Sequence, residues 1–301
     1  MIALVAIGLN VAWWAVRGIA GSRTIWFSLV LLPLTAVGAY LSALSLRDRY
    51  AAVVAGVLIA SSGTLATVIG LKPALGVGLV CVAIVWRLLD QGQVIPALAA
   101  CVLALLFRFE LVSLGLVVLA YVFSRRSSQS ARAVVLFGAG ILGALATHIL
   151  GHHRQFLPAD ALSRVRDWGL LGPGLPILWF LTAFVTDMAD RSARSRWLPL
   201  VAWLFVSIVG SIVCRPSGSV LFLAPAIVGC YILCAAGIAR VLPALAGDLP
   251  TPAGRYAVAA LAVLLLIGLR VQGDRHVSAE LRSVNHRMVE TAGVTIVHRP
   301  H

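Results

Sequence analysis

Apolar runs separated by short polar turns recur along nearly the whole chain, and their lengths predict helices that cross a membrane. The first run, Ile2 to Val16, holds Asn10 and the Trp13-Trp14 pair. It reads as a retained helix, because no small-residue cleavage site followed by a polar domain comes after it. A loop from Arg17 to Arg23 leads to runs at Thr24 to Leu46, which contains Pro33, at Ala51 to Leu71, and at Ala74 to Leu89. The last of these is opened by Lys72-Pro73, since proline fits the first turn of a helix. Next come two runs of 14 residues, Val94 to Phe107 and Leu111 to Ser124, joined by Arg108-Phe109-Glu110 and closed by Arg125-Arg126. One straight helix through both would be about 46 Å long at ~1.5 Å per residue. That exceeds a hydrocarbon core of roughly 30 Å and would strand a charged pair near its middle. The pattern therefore predicts a short helical hairpin whose bend puts Arg108 and Glu110 together at one membrane face, as a structural ion pair or as part of an ionic ligand site.

Beyond the polar linker Arg125 to Arg132, further runs lie at Ala133 to Leu150, Trp168 to Thr186, Trp197 to Cys214, Ser219 to Ile238 and Tyr256 to Leu269. They are separated by the polar loop Gly151 to Asp167, the basic linker Asp187 to Arg196, the turn Arg215-Pro216-Ser217-Gly218, and a connector rich in proline, glycine and alanine from Arg240 to Arg255. The expected fold class is all-α: a polytopic transmembrane bundle of about eleven spans over residues 1–269, including the central hairpin. A polar tail, residues 270–301, follows on the extracytoplasmic side and is too small for a core of its own.

Composition agrees with this class. The chain is 60% hydrophobic and only 12% charged, with a mean hydropathy of +0.99, which excludes a soluble globular core. The five cysteines lie in or beside apolar runs without a CxxC pair, so they read as small buried hydrophobes. The net charge of +13 rests on arginine, with Lys72 the single lysine. Nucleic acid is excluded as a partner, because the one long polar segment, the tail, mixes acids with bases and carries no aromatic residue. A membrane phospholipid or a phosphorylated lipid fits better, since the guanidinium fork matches phosphate oxygens.

If the linkers Arg125 to Arg132 and Asp187 to Arg196 are cytoplasmic, the N-terminus is inside and the tail outside. Eleven basic residues then fall inside and thirteen outside, against the usual bias, and outward arginines kept against that bias suit a ligand. This topology collects Lys72, the Arg108 and Glu110 bend, the loop carrying Arg154, Asp160 and Asp167, and Arg215 on one face. Such a rim suits an anionic lipid phosphate beside a carboxylate base, or simply lipid head groups. His148 and His152 stand one helical turn apart, but nothing completes an H-E-x-x-H pattern, so no metal and no cofactor are expected.

Three stretches carry a family resemblance. Ala60-Ser61-Ser62 with Gly70-Leu71-Lys72-Pro73-Ala74-Leu75 resembles a region of small residues followed by Gly-Leu-Glu-Thr-Ala-Leu. Leu105 to Leu111 (LLFRFEL) resembles a Leu-Thr-Arg-Pro-Glu-Gly-Leu segment, and Arg215 to Leu242 resembles a late Arg-Tyr-Leu-Leu-Pro segment ending in Ala-Gly-Leu-Ala-Arg. Their order, over roughly residues 51–240, is similar to that of the GT-C class of polytopic glycosyltransferases, which use polyprenyl-phosphate-linked sugars at the outer face of the membrane. The recurring apolar runs, with a bias to alanine, valine, arginine and leucine and almost no lysine, suggest a multi-pass protein of a bacterial plasma membrane. The resemblance implies phosphate contacts from Arg108 and Arg215, with Glu110 orienting Arg108, and the charged rim adds Lys72 and Arg154 as further phosphate contacts. Asp160 or Asp167 could serve as the base, although the class pattern does not point to either. Two departures stand against activity. The loop after the first run, Arg17 to Arg23, has no acid where the class carries one, and Lys72 replaces the expected glutamate. The chain is also short for the class. A missing N-terminal span with its acidic loop, a scaffold without the activity, or a likeness of composition are the readings this leaves open. A non-catalytic membrane subunit or assembly factor, with an unidentified membrane partner, is the first alternative function. A transporter of a lipid-linked precursor is the second, although the two halves show no internal repeat.

Overall fold

The computed structural model describes residues 3–4, 6–8, 10–11, 22–46, 49–71, 73–107, 111–124, 130–151, 157–158, 198–207, 214–215 and 219–247. They are helical almost throughout: α1 (Ser22–Leu46), α2 (Arg49–Ala60), α3 (Gly63–Leu71), α4 (Pro73–Asp90), α5 (Val94–Phe107), α6 (Val112–Ser124), α7 (Ser130–Gly151), α8 (Leu198–Ser207) and α9 (Ser219–Gly247). Helical residues also occur between positions 3 and 11. The all-α class therefore holds for the described residues. Two segments, Trp26–Leu46 and Pro73–Asp90, are long and apolar enough to cross a membrane. The expected runs at 168–186 and 256–269 and the tail 270–301 lie outside the described residues.

The bundle is built on close approach of small residues. α1 packs most extensively on α4, and Leu32, Ala36, Ala39 and Ala43 on α1 are fully buried. A methyl group on Gly38 would sit 3.0 Å from Ala83 Cβ, so the two backbones nearly touch there. One hydroxyl strengthens the seam. Ser42 Oγ donates to the Ala83 carbonyl at 2.5 Å and accepts from the Arg87 amide at 3.2 Å, bridging both ends of one rung of the α4 ladder. Pro33 removes one amide donor within α1, and two residues on, Thr35 Oγ1 bonds the Leu31 carbonyl at 2.7 Å.

The run Ala51 to Leu71 is not one helix. It breaks at Ser61-Ser62 into α2 and α3, where Ser61 Oγ bonds the Leu58 carbonyl at 3.3 Å and Ser62 Oγ accepts from the Leu65 amide at 3.2 Å. Serine hydroxyls here take over backbone groups that a continuous ladder would use, so Ser62 serves as the N-cap of α3. The predicted hairpin at 94–124 is present as α5 and α6, with positions 108–110 outside the described residues. At the far end α9 runs on through Arg240 and Pro243 to Gly247, past the expected connector boundary. The expected run from Trp197 to Cys214 also divides, since Leu198–Ser207 is helix whereas Cys214 belongs to a strand.

Candidate functional site

Side-chain contacts fix the direction of each helix. Residue 31 meets 76 and residue 38 meets 83, so α1 and α4 run parallel. The turn Gln91 to Gln93, with Gly92 at φ 71°, reverses the chain into α5, and the positive φ there suits glycine. Val102 lies against Gly140 and Leu106 faces Gly143, so α5 and α7 run parallel, while α6 returns between them with Gly115 on Phe137. Leu111, at the start of α6, reaches Gly78 near the start of α4. One end of the bundle therefore gathers the start of α1, the junction of α3 with α4, the junction of α5 with α6 and the end of α7. The described helix ends that flank positions 72, 108–110 and 152–156 are among them.

A short antiparallel pair adds a further element. β1 (Leu157–Pro158) pairs with β2 (Cys214–Arg215), with Leu157 opposite Arg215 and Pro158 opposite Cys214. β2 directly precedes α9, so the approach to the last described helix is tied to the chain that follows α7. Of the expected site residues, Arg215 is thus placed, in β2 beside the loop after α7. Lys72, Arg108, Glu110, Arg154, Asp160 and Asp167 lie outside the described residues, although described helices flank the first three on both sides. The register between β1 and β2 had no signal in the sequence. Pro158 lies within β1 and Pro216 follows β2, and neither segment alternates like a strand.

The electrostatics of this end follow from helix polarity. The starts of α1, α4 and α6 meet the ends of α3, α5 and α7 there, so partial charges of roughly half a unit per terminus nearly cancel. None of those three starts carries an acidic residue in its first turn. In the sequence the formal charges between these helices are mostly cationic.

Beneath this end lies a buried polar cluster. Asn10 Nδ2 donates to the Ser28 carbonyl at 2.8 Å and to Ser28 Oγ at 3.0 Å, and Ser28 Oγ lies 3.2 Å from the Ala66 carbonyl. Asn10, Ser28 and the α3 backbone thus satisfy one another inside the bundle, which fixes the N-terminal helical residues against α1. Toward the opposite end, the rings of Trp86 on α4 and Trp203 on α8 meet at a tilt of 44° with centroids 5.6 Å apart, and neither indole N–H has a hydrogen-bond partner among the described residues. Among the described residues no group of three His, Cys, Asp or Glu side chains could hold a metal ion. Compared with known families and with characterised proteins, the chain matches no family model and no curated sequence.

Proposed function

We propose that the chain is a multi-pass protein of a bacterial plasma membrane, with about eleven spans, built on a GT-C-like scaffold that handles a polyprenyl-phosphate-linked sugar at its outer face. The observation that supports this reading is the alternation of α3 to α7, which brings the helix ends flanking Lys72, Arg108 and Arg154 to one end, together with the β1–β2 pair, which sets Arg215 beside the chain that follows α7. The outer surface of the bundle agrees with lipid as its solvent. Trp26, Val30 and Leu34 are exposed along one face of α1, as are Leu116 and Phe123 on α6 and Val135 and Leu142 on α7.

In the active form of this reading, an acceptor hydroxyl attacks the anomeric carbon as the bond to the lipid phosphate oxygen breaks. A carboxylate, Asp160 or Asp167, takes the hydroxyl proton, and Arg108 and Arg215 stabilise the departing phosphate. Lys72 and Arg154 extend the cationic rim, and Glu110 orients Arg108. The second reading, a scaffold or assembly subunit without catalysis, is favoured by the absence of any acid between Arg17 and Arg23 and by Lys72 at the expected glutamate position.

Reconstituted protein supplied with polyprenyl-phosphate-linked sugars separates the two. Arg108→Ala and Arg215→Ala should each lower transfer by about 10- to 100-fold, the loss expected when a hydrogen bond to a charged group is removed. A folded parent that transfers no sugar, or variants that match the parent, would assign the scaffold role.

A further inference from the structure

We infer that the opposite end of the bundle holds a second anion site, in which Arg87, set beside Ser45, binds the phosphate of an anionic lipid head group. This rests on the membrane reading above and concerns the end away from the proposed sugar-donor site. Arg87 lies in the last turn of α4, three residues before Asp90. At ~1.5 Å of rise per residue it sits about 4.5 Å below the end of the helix, next to the exposed turn Gln91 to Gln93. In a membrane that is the depth at which a half-buried arginine extends its head toward phosphates.

The guanidinium is held in place from one side: among the described residues its hydrogen bond is that of Nη1 to Ser45 Oγ on α1. The backbone amide of the same residue is clamped by Ser42 Oγ, so the residue is fixed in the α1–α4 seam at two points. A guanidinium carries five N–H donors in a planar fork, and a hydroxyl oxygen cannot satisfy the fork. A phosphate can, by paired N–H···O bonds. The C-terminal turn of α4 also favours a cation at this position, so the charge is retained where the ligand arrives. Asp90, the acid at this end among the described residues, is exposed.

The test is lipid binding by delipidated parent and Arg87→Gln protein, read by native mass spectrometry during titration with phosphatidylglycerol or with a neutral, phosphate-free glycolipid. The parent should prefer phosphatidylglycerol, and Arg87→Gln should weaken that binding by about fivefold, the effect of one basic residue at an anionic surface. Arg87→Lys, which keeps the charge without the fork, should fall between them and guards against a folding defect in the glutamine variant. Displacement of the lipid by millimolar inorganic phosphate would assign a soluble anion and overturn the head-group assignment. Extraction of the chain from membranes by alkaline carbonate refutes the membrane reading itself. Retention in the membrane with equal phosphatidylglycerol binding by parent and Arg87→Gln refutes this site alone.

Discussion

Substituting Gly115 by alanine tests the packing that carries α7 to the proposed donor-binding end. A Cβ on Gly115 would lie 1.9 Å from Phe137 Cε2 and 2.2 Å from Cζ. Carbon atoms rest at about 3.5–4.0 Å, so the ring must retreat by roughly 1.5–2 Å. Phe137 is 1% exposed, so its retreat must displace packed neighbours. Overpacking of this kind costs ~1–3 kcal/mol, and a displaced buried ring belongs at the upper end. Alanine recovers about 1 kcal/mol of helix propensity over glycine, leaving a net loss of about 2 kcal/mol. Gly138 on α7 is the control, because nothing lies within 4 Å of its would-be Cβ. Gly138→Ala should therefore be neutral or stabilise by up to ~1 kcal/mol. The readout is reversible unfolding in mixed micelles. Pairing Gly115→Ala with Phe137→Ala completes a cycle in which the new methyl enters the space the ring vacates. The double variant should be less destabilised than the two losses added together, by at least ~1 kcal/mol. A Gly115→Ala protein as stable as Gly138→Ala, or strictly additive losses, would show that α6 and α7 do not meet at these residues.

Two further outcomes follow from the geometry. Asn10→Ala removes the bonds to Ser28 and should cost about 1–2 kcal/mol, measured by the same unfolding; a change below ~0.5 kcal/mol would mean that the N-terminal helical residues are not docked through this cluster. Pro158→Cys places a thiol opposite native Cys214, where antiparallel partners stand about 4.5–5.5 Å apart between Cα atoms, within disulfide range. Mild oxidation should join the two peptides in the mass spectrum, and the product should vanish in a Cys214→Ser background. No joined peptide under oxidation would dissociate β2 from the loop after α7.

Much of the helical layout was readable from the chain because apolar run length and proline position are local signals. Pro73 opens α4 as expected, and the charged residues between positions 107 and 111 divide α5 from α6 as expected. The break at Ser61-Ser62 was not readable, since two serines in an apolar run are compatible with a continuous helix until their hydroxyls find backbone partners. The extension of α9 past Pro243 was hidden for the opposite reason. Proline and glycine suggested a connector, yet the helix continues through the proline. The shared end of the helix termini that flank 72, 108–110 and 152–156 follows from counting reversals of the described helices. The approach of Arg215 to Leu157 did not, because it depends on pairing between segments distant in sequence that neither segment encodes alone.

The contact of α9 with α2 sets an order of assembly. Helices α1 to α5 lie consecutively within residues 22–107 and pack on near neighbours, so this block can form while later chain is still being synthesised. α2 buries Ala51, Ala52, Ala55 and Gly56, and one of its principal partners, α9, emerges only after residue 219. Until then the early block carries an unsealed groove lined by small side chains, and the last described helix closes it. Truncation before α9 would thus leave the first half of the bundle formed but open, a species prone to capture by other membrane helices.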